Sequence, residues 1–213
     1  MRLPLRQLRE IARTAGVKDV PGFPASALMA AIAVEESAGD TRRHSDVRDP
    51  NTGKREPSYG LLQINEPSWP EIAAATRATF RQRMPDYTRA MKQMRLAAPI
   101  FRDAGQQAAK AIDRLRERGL PAGPMEFMLL IDAAWQGPLG NWADTTSTGN
   151  VEEIRAGTIH HNPERRRSIR RHLSELGVMN GPAAGIGALL GFLGFGSLIA
   201  LLLWAIGGLA DEA

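Results

Sequence analysis

The feature that most restricts this chain is the stretch from residue 176 to residue 210, which contains no Asp, Glu, Lys or Arg. Within it, residues 186 to 209 form one apolar run, longer than the roughly 20 residues a helix needs to cross a bilayer. Such a segment is not stable as an isolated element in water; it spans a membrane or packs on protein. The expectation is a transmembrane helix within a C-terminal unit, residues 181–213, that ends in the acidic pair Asp211 and Glu212. What precedes it, about 180 residues, suffices for one globular domain with a sizeable core.

The chain has a net charge of +4, and the part after Asn180 contributes only Asp211 and Glu212, so the positive excess lies in the preceding domain. A basic surface suits an anionic polymer or lipid without choosing among them. Cysteine is absent, which excludes a disulfide framework and thiolate metal sites. The first residues carry Arg2, Arg6, Arg9 and Glu10 in place of the apolar core of a secretory signal, so export by that route is not expected.

Helical periodicity dominates the rest, and the expected fold class is all-α. Leu5, Leu8, Ile11 and Ala12 share one side of a helix over residues 5 to 15, closed by Gly16. A second helix is expected from an N-cap at Ser26 to Ser37, ended by Gly39. Residues 40 to 57 are polar and rich in turn formers and read as a long loop. Further helices are expected over 69–80, over 86–118 with divisions at Pro99 and Gly105, and over 125–135 before Gly137-Pro138. Residues 160–180, with Arg165, Arg166, Arg167, Arg170 and Arg171, read as a solvated juxtamembrane segment. The units are therefore residues 1–24, 25–159, 160–180 and 181–213.

Chemistry concentrates in three places. Glu36-Ser37 stands at the end of a small-residue helix, Tyr59-Gly60-Leu61-Leu62-Gln63 follows, and Ala134-Trp135-Gln136-Gly137-Pro138 comes later. At about 100° per residue, Glu36 falls nearer than Glu35 to the face bearing Leu28, Met29 and Ile32. A carboxyl group buried on such a face keeps its proton towards neutral pH and can act as a general acid. Trp69 and Trp142 read as core or rim residues, and His160 and His161 as solvated, since no carboxylates accompany them at metal-ligand spacing.

In their order these three blocks resemble the lytic transglycosylases, the soluble-transglycosylase-like branch of the lysozyme fold. Family members carry Glu-Ser at a helix end, then Gly-Leu-Met-Gln, then Ala-Tyr-Asn-Ala-Gly-Pro. The departures are a longer interval between Glu36 and Gly60, Leu62 in place of Met, and Trp135-Gln136 in place of Tyr-Asn. The resemblance implies a lysozyme-like helical domain that cuts peptidoglycan between N-acetylmuramic acid and N-acetylglucosamine. Glu36 would be its general acid and then its base, leaving 1,6-anhydro ends. It further implies that Ser37 and Gln63 position sugar groups, that Tyr59, Leu62 and Trp135 line the cleft, that Gly60 and Gln136 belong to the binding motifs, and that no metal or other cofactor is needed.

A lysozyme-type hydrolase is the nearest alternative, because an inverting mechanism needs a second carboxylate and Asp40, Asp46, Asp49 and Glu56 are available. Lys and Arg gather before the apolar run and acidic residues follow it, which places the domain on the cytoplasmic side. Peptidoglycan lies on the other side. The expectation is therefore a bacteriophage virion protein, internal or on a viral membrane, that opens the host wall as DNA enters; a bacterial inner-membrane protein is the alternative. Gly187, Gly191 and Gly194 lie on one helix face and allow self-association or contact with other virion proteins. A different class of reading is a structural membrane conduit with an inactive lysozyme-like domain. Nucleic-acid binding through the arginine run ranks last.

Overall fold

The computed structural model describes residues 2–19, 23–48, 52–117, 119, 123–136 and 163–178. Across these residues the chain is mostly helical with one small antiparallel sheet. Its helices are α1 (Leu5–Thr14), α2 (Ala25–Ser37), α3 (Pro70–Ala78, extended by a 3-10 turn Thr79–Arg81), α4 (Asp86–Leu96), α5 (Ala98–Glu117), α6 (Pro124–Gln136) and α7 (Pro163–Glu175). Among the described residues no helix is long and apolar enough to cross a membrane. The apolar run at 186–209, with Gly187, Gly191 and Gly194, lies outside the described residues, as do Asp49, Gly137-Pro138, Trp142, His160 and His161.

Helix α2 is the axis of the domain. Every residue from Ala25 to Ala33 is buried, so this helix has no solvent face over its first nine positions and α1 and α7 pack directly on it. The alanines make that possible, because they cost least in a helix and let neighbouring backbones approach. Its start differs from expectation. Pro24, not Ser26, is the N-cap residue, and Ser26 lies buried in the first turn. The capping oxygen comes from outside: Asp19 accepts the Ser26 N–H at 2.8 Å and the Ser26 hydroxyl at 2.6 Å, placing an anion at the positive end of the helix.

Arg9 and Arg13 also donate to Asp19. Burial pushes its carboxyl up, but the hydrogen bonds from Ser26, Arg13 and Arg9 outweigh this, and its pKa ends below the ordinary value. A carboxylate with a depressed folded pKa contributes stability above its unfolded pKa of about 4 and loses it as the pH falls through the folded value. Asp19→Asn is accordingly expected to cost about 1–2 kcal/mol at neutral pH and progressively less below pH ~4, as read by urea denaturation across pH.

At its C-terminus α2 stops through two successive left-handed residues, Ala38 at φ 54° and Gly39 at φ 78°. Leu3 N–H donates to the Gly39 carbonyl at 2.9 Å and Arg2 pairs with Asp40, so the N-terminal strand-like segment ties down the turn immediately after Glu36.

The segment 40–57, expected as a loop, carries a pair of strands over most of its described residues. Strand β1 (His44–Arg48) pairs antiparallel with β2 (Arg55–Tyr59), from His44 opposite Tyr59 to Arg48 opposite Arg55, and β3 (Ile64–Asn65) adds to the other edge of β2. β1 is exposed along almost its whole length, so the buried/exposed alternation that marks a strand in sequence is missing. The turn after β2 is held from below: Gln93 of α4 accepts the Leu61 N–H at 2.8 Å and donates to the Thr41 carbonyl at 2.8 Å and to Thr79 Oγ1 at 2.8 Å.

The expected divisions at Pro99 and Gly105 also move. Helices α4 and α5 separate at Ala97, Pro99 sits in the first turn of α5, where its missing N–H is not needed, and Gly105 is buried inside the helix. Residues 163–175, expected to be solvated, form α7. Ile169 and Leu173 are fully buried, and Arg9 Nη1 donates to the Leu176 carbonyl at 3.0 Å, so α7 is an integral part of the core.

Candidate active site

Glu36 occupies the last turn of α2 and opens into a cleft of about 990 Å³. The sheet supplies one wall through Arg43, Ser45, Glu56, Ser58, Gln63 and Asn65; Ile100, Asp103 and Gln107 of α5 and Trp135 and Gln136 of α6 supply another. Trp69, expected as core or rim, packs on the core and also lines the cleft. Glu35, one residue away, turns aside to accept a hydrogen bond from His172 Nε2 at 2.9 Å. The two glutamate side chains are equally exposed, at 18% each; Glu36 lines this cleft and Glu35 an adjoining cavity.

Burial pushes the Glu36 carboxyl above its ordinary range; the Arg165 guanidinium opposes this, and the neighbouring charge of Asp132 adds to it. The negative end of the α2 dipole works in the same direction as burial. A carboxyl group of this kind, 18% exposed and facing an open cleft, can hold a proton at a pH where ordinary carboxylates have lost theirs and deliver it to a bound molecule.

The expected helpers divide into two groups. Gln63, Trp135 and Gln136 line the cleft with Glu36. Gln63 is largely occupied, since its Nε2 donates to the Gly60 carbonyl at 2.8 Å and the Arg43 carbonyl at 3.1 Å and its Oε1 accepts from Ser45 at 2.7 Å. It fixes the wall shape, which it does from a left-handed backbone at φ 47°.

Ser37, Tyr59, Gly60 and Leu62 do not line the cleft. Ser37 is buried and donates its hydroxyl to the Ala33 carbonyl at 2.9 Å, the usual use of a helical serine whose surroundings exclude water. Tyr59 is buried, donates to Glu66 at 2.9 Å and stacks on His44 at 5.0 Å, so it braces the hairpin. Leu62 is a core residue at 1% exposure. Gly60 faces inward so closely that a Cβ would lie 2.5 Å from Thr76 Cγ2.

Of the loop carboxylates, Glu56 lines the cleft, whereas Asp46 pairs with Arg55 at 3.0 Å and Asp40 accepts the Arg42 N–H at 2.9 Å.

Two residues that carry no site role in the sequence reading stand beside Glu36. Asp132 of α6 is buried, and Arg165 of α7 grips both of its oxygens, with Nε at 3.0 and 3.1 Å and Nη2 at 2.7 Å. The same Nη2 lies 2.8 Å from Glu36 Oε1. Burial works against the Arg165 charge, but the Asp132 hydrogen bonds and the charges of both carboxylates outweigh it, and the guanidinium is held firmly protonated. Asp132 had a signal, being a lone charge in the apolar run of α6. Nothing in the run of arginines distinguishes Arg165 from its neighbours. Comparison of the chain with known protein families, with curated proteins and with solved structures finds no match to any of the three.

Proposed function

We propose that the domain is a peptidoglycan lytic transglycosylase with Glu36 as its proton-transfer residue. The observation that supports this reading most is the position of Glu36: a carboxyl group with a raised pKa at the end of a buried helix, opening into a cleft flanked by two tryptophans. Indole faces suit the apolar faces of sugar rings, while Gln136, Asn65 and Gln107 offer amide groups on the walls for hydroxyls and acetamido groups.

In this mechanism protonated Glu36 gives its proton to the oxygen linking N-acetylmuramic acid to N-acetylglucosamine, and the C1–O bond breaks as that oxygen leaves as a hydroxyl. The Glu36 carboxylate then takes the proton of the muramic C6 hydroxyl while that oxygen bonds to C1, closing a 1,6-anhydro ring. No water enters, and Glu36 ends protonated for the next cycle.

The test is release of soluble muropeptides from purified sacculi by the full chain. Trp135→Ala is expected to raise KM about tenfold with a smaller change in kcat, since stacking is uniform binding and contributes on the order of 1 kcal/mol. An unchanged KM would remove Trp135 from the binding surface. Glu56 favours one second reading, inverting hydrolysis, because it is a second carboxylate within the same cleft. On the sequence alone, the proposal extends to membrane attachment through residues 186–209 and to carriage in a phage particle that opens the wall during DNA entry.

A further inference from the structure

Two carboxylates, half-buried Glu36 and buried Asp132, share one guanidinium. Arg165 approaches Asp132 through two nitrogens and both carboxylate oxygens, and its Nη2 also lies 2.8 Å from Glu36 Oε1. The sharing is built into the fold: α6 carries Asp132, α2 carries Glu36, and α7 is locked beside α2 by buried Ile169 and Leu173. Arg165 facing Glu36 by itself would hold that carboxylate ionised, which is the wrong state for a proton donor. With Asp132 as its main partner, most of the guanidinium charge is already answered.

We propose that Asp132 and Arg165 are positioning residues for Glu36: Asp132 engages the guanidinium so that a single N–H orients the Glu36 carboxyl into the cleft without forcing it to stay ionised. The inference rests on Glu36 being the proton donor. Other charged groups face the site from α2, α5, α7 and the sheet. Glu35 on the same helix is paired with His172 of α7, Arg43 and Glu56 stand on the sheet wall, and Asp103 on α5 accepts from Gln107 at 2.7 Å. Glu164, Arg167 and Arg171 of α7 line an adjoining cavity together with Glu35 and Arg165.

The test is a carbon-13 NMR titration of glutamate carboxyls in the full chain, with the Glu36 signal assigned by its loss in Glu36→Gln. Asp132→Asn keeps the side-chain shape and removes the counter-charge; the Glu36 midpoint is expected to fall by roughly one pH unit as Arg165 turns to it. Arg165→Gln is expected to move the midpoint up by a similar amount. The alkaline limb of the pH–rate profile on sacculi should move with each midpoint. Arg165→Lys, which keeps the charge but cannot hold both carboxylates at once, should lower kcat with KM unchanged and leave the midpoint at or under that of the parent. It carries the test if either of the other variants does not fold. Midpoints unmoved in Asp132→Asn and Arg165→Gln, a rise in Asp132→Asn, or an undiminished kcat in Arg165→Lys would overturn the proposal. A parent chain that releases no muropeptides would instead overturn the transglycosylase reading, whatever the titration shows.

Discussion

Glu36→Gln is expected to lower the rate of glycan release from sacculi by about a thousandfold or more while leaving the fold intact. The amide keeps the volume and the hydrogen-bonding capacity of the side chain but has no proton to give at any accessible pH. The loss should therefore fall on kcat, with KM changed little. Stability should not fall with it. Because burial raises the folded pKa of Glu36 above its unfolded value, its ionised form is disfavoured in the fold, and that deficit grows as the pH rises through the folded pKa. Gln carries no such deficit, so the variant should melt at or slightly above the parent temperature at neutral pH. For the parent, activity should decline on the alkaline side, where Glu36 loses its proton, at a pH above the ordinary carboxylate range. A Glu36→Gln variant that keeps more than a tenth of the parent rate would remove Glu36 from the chemistry.

Gly39→Ala is expected to be among the most destabilising single-methyl changes in the domain. The residue adopts φ 78°, and an added Cβ would lie 2.2 Å from the Leu3 carbonyl oxygen, which is backbone and cannot swing away. Strain at positive φ and the clash together should cost roughly 3–5 kcal/mol, a large share of a stability of about 5–15 kcal/mol. The melting temperature should fall by on the order of 10 °C. Gly53→Ala separates the two contributions. Gly53 adopts φ 66°, yet its added Cβ meets nothing within 4 Å, so it bears the conformational penalty alone and should cost only about 1 kcal/mol. Equal effects of the two substitutions in thermal denaturation would contradict this account. Activity at low temperature should suffer in Gly39→Ala as well, because the contact between Leu3 and Gly39 fixes the turn that follows Glu36.

Reading the chain reaches some of this and stops for identifiable reasons. Helices α1, α3, α6 and α2 to within a few residues follow from periodicity and from Gly16, Gly39 and the prolines, all local signals. The angle of Glu36 from an apolar stripe does not by itself separate it from Glu35, because α2 is buried on all sides over its first nine residues and the two glutamates are equally exposed. The pairing of β1 with β2 is not legible, because β1 buries nothing and the segments flanking the pair are tied by Gln93, which lies 32 residues beyond Leu61.

By resemblance the Gly60-Leu61-Leu62-Gln63 motif is a sugar-binding element, yet its residues chiefly build the turn: Gly60 makes room for Thr76 and Gln93, Leu62 fills the core, and Gln63 ties the wall. Short motifs carry no record of which way each side chain points. Arg165 is the clearest case of what sequence hides. Its neighbours Arg166 and Arg167 are of the same type, and only the packing of Ile169 and Leu173 against the core determines which arginine is turned between Asp132 and Glu36.

The most direct measurement of the central claim is the mass of the muropeptides that the full chain releases from purified sacculi, with Glu36→Gln in parallel. A transglycosylase that uses Glu36 as acid and then base yields 1,6-anhydro products, each lighter by one water than the reducing form, and the variant yields none. Reducing ends would contradict the intramolecular step and point to Glu56 activating water, while anhydro products that persist in Glu36→Gln would contradict the assignment of the acid itself.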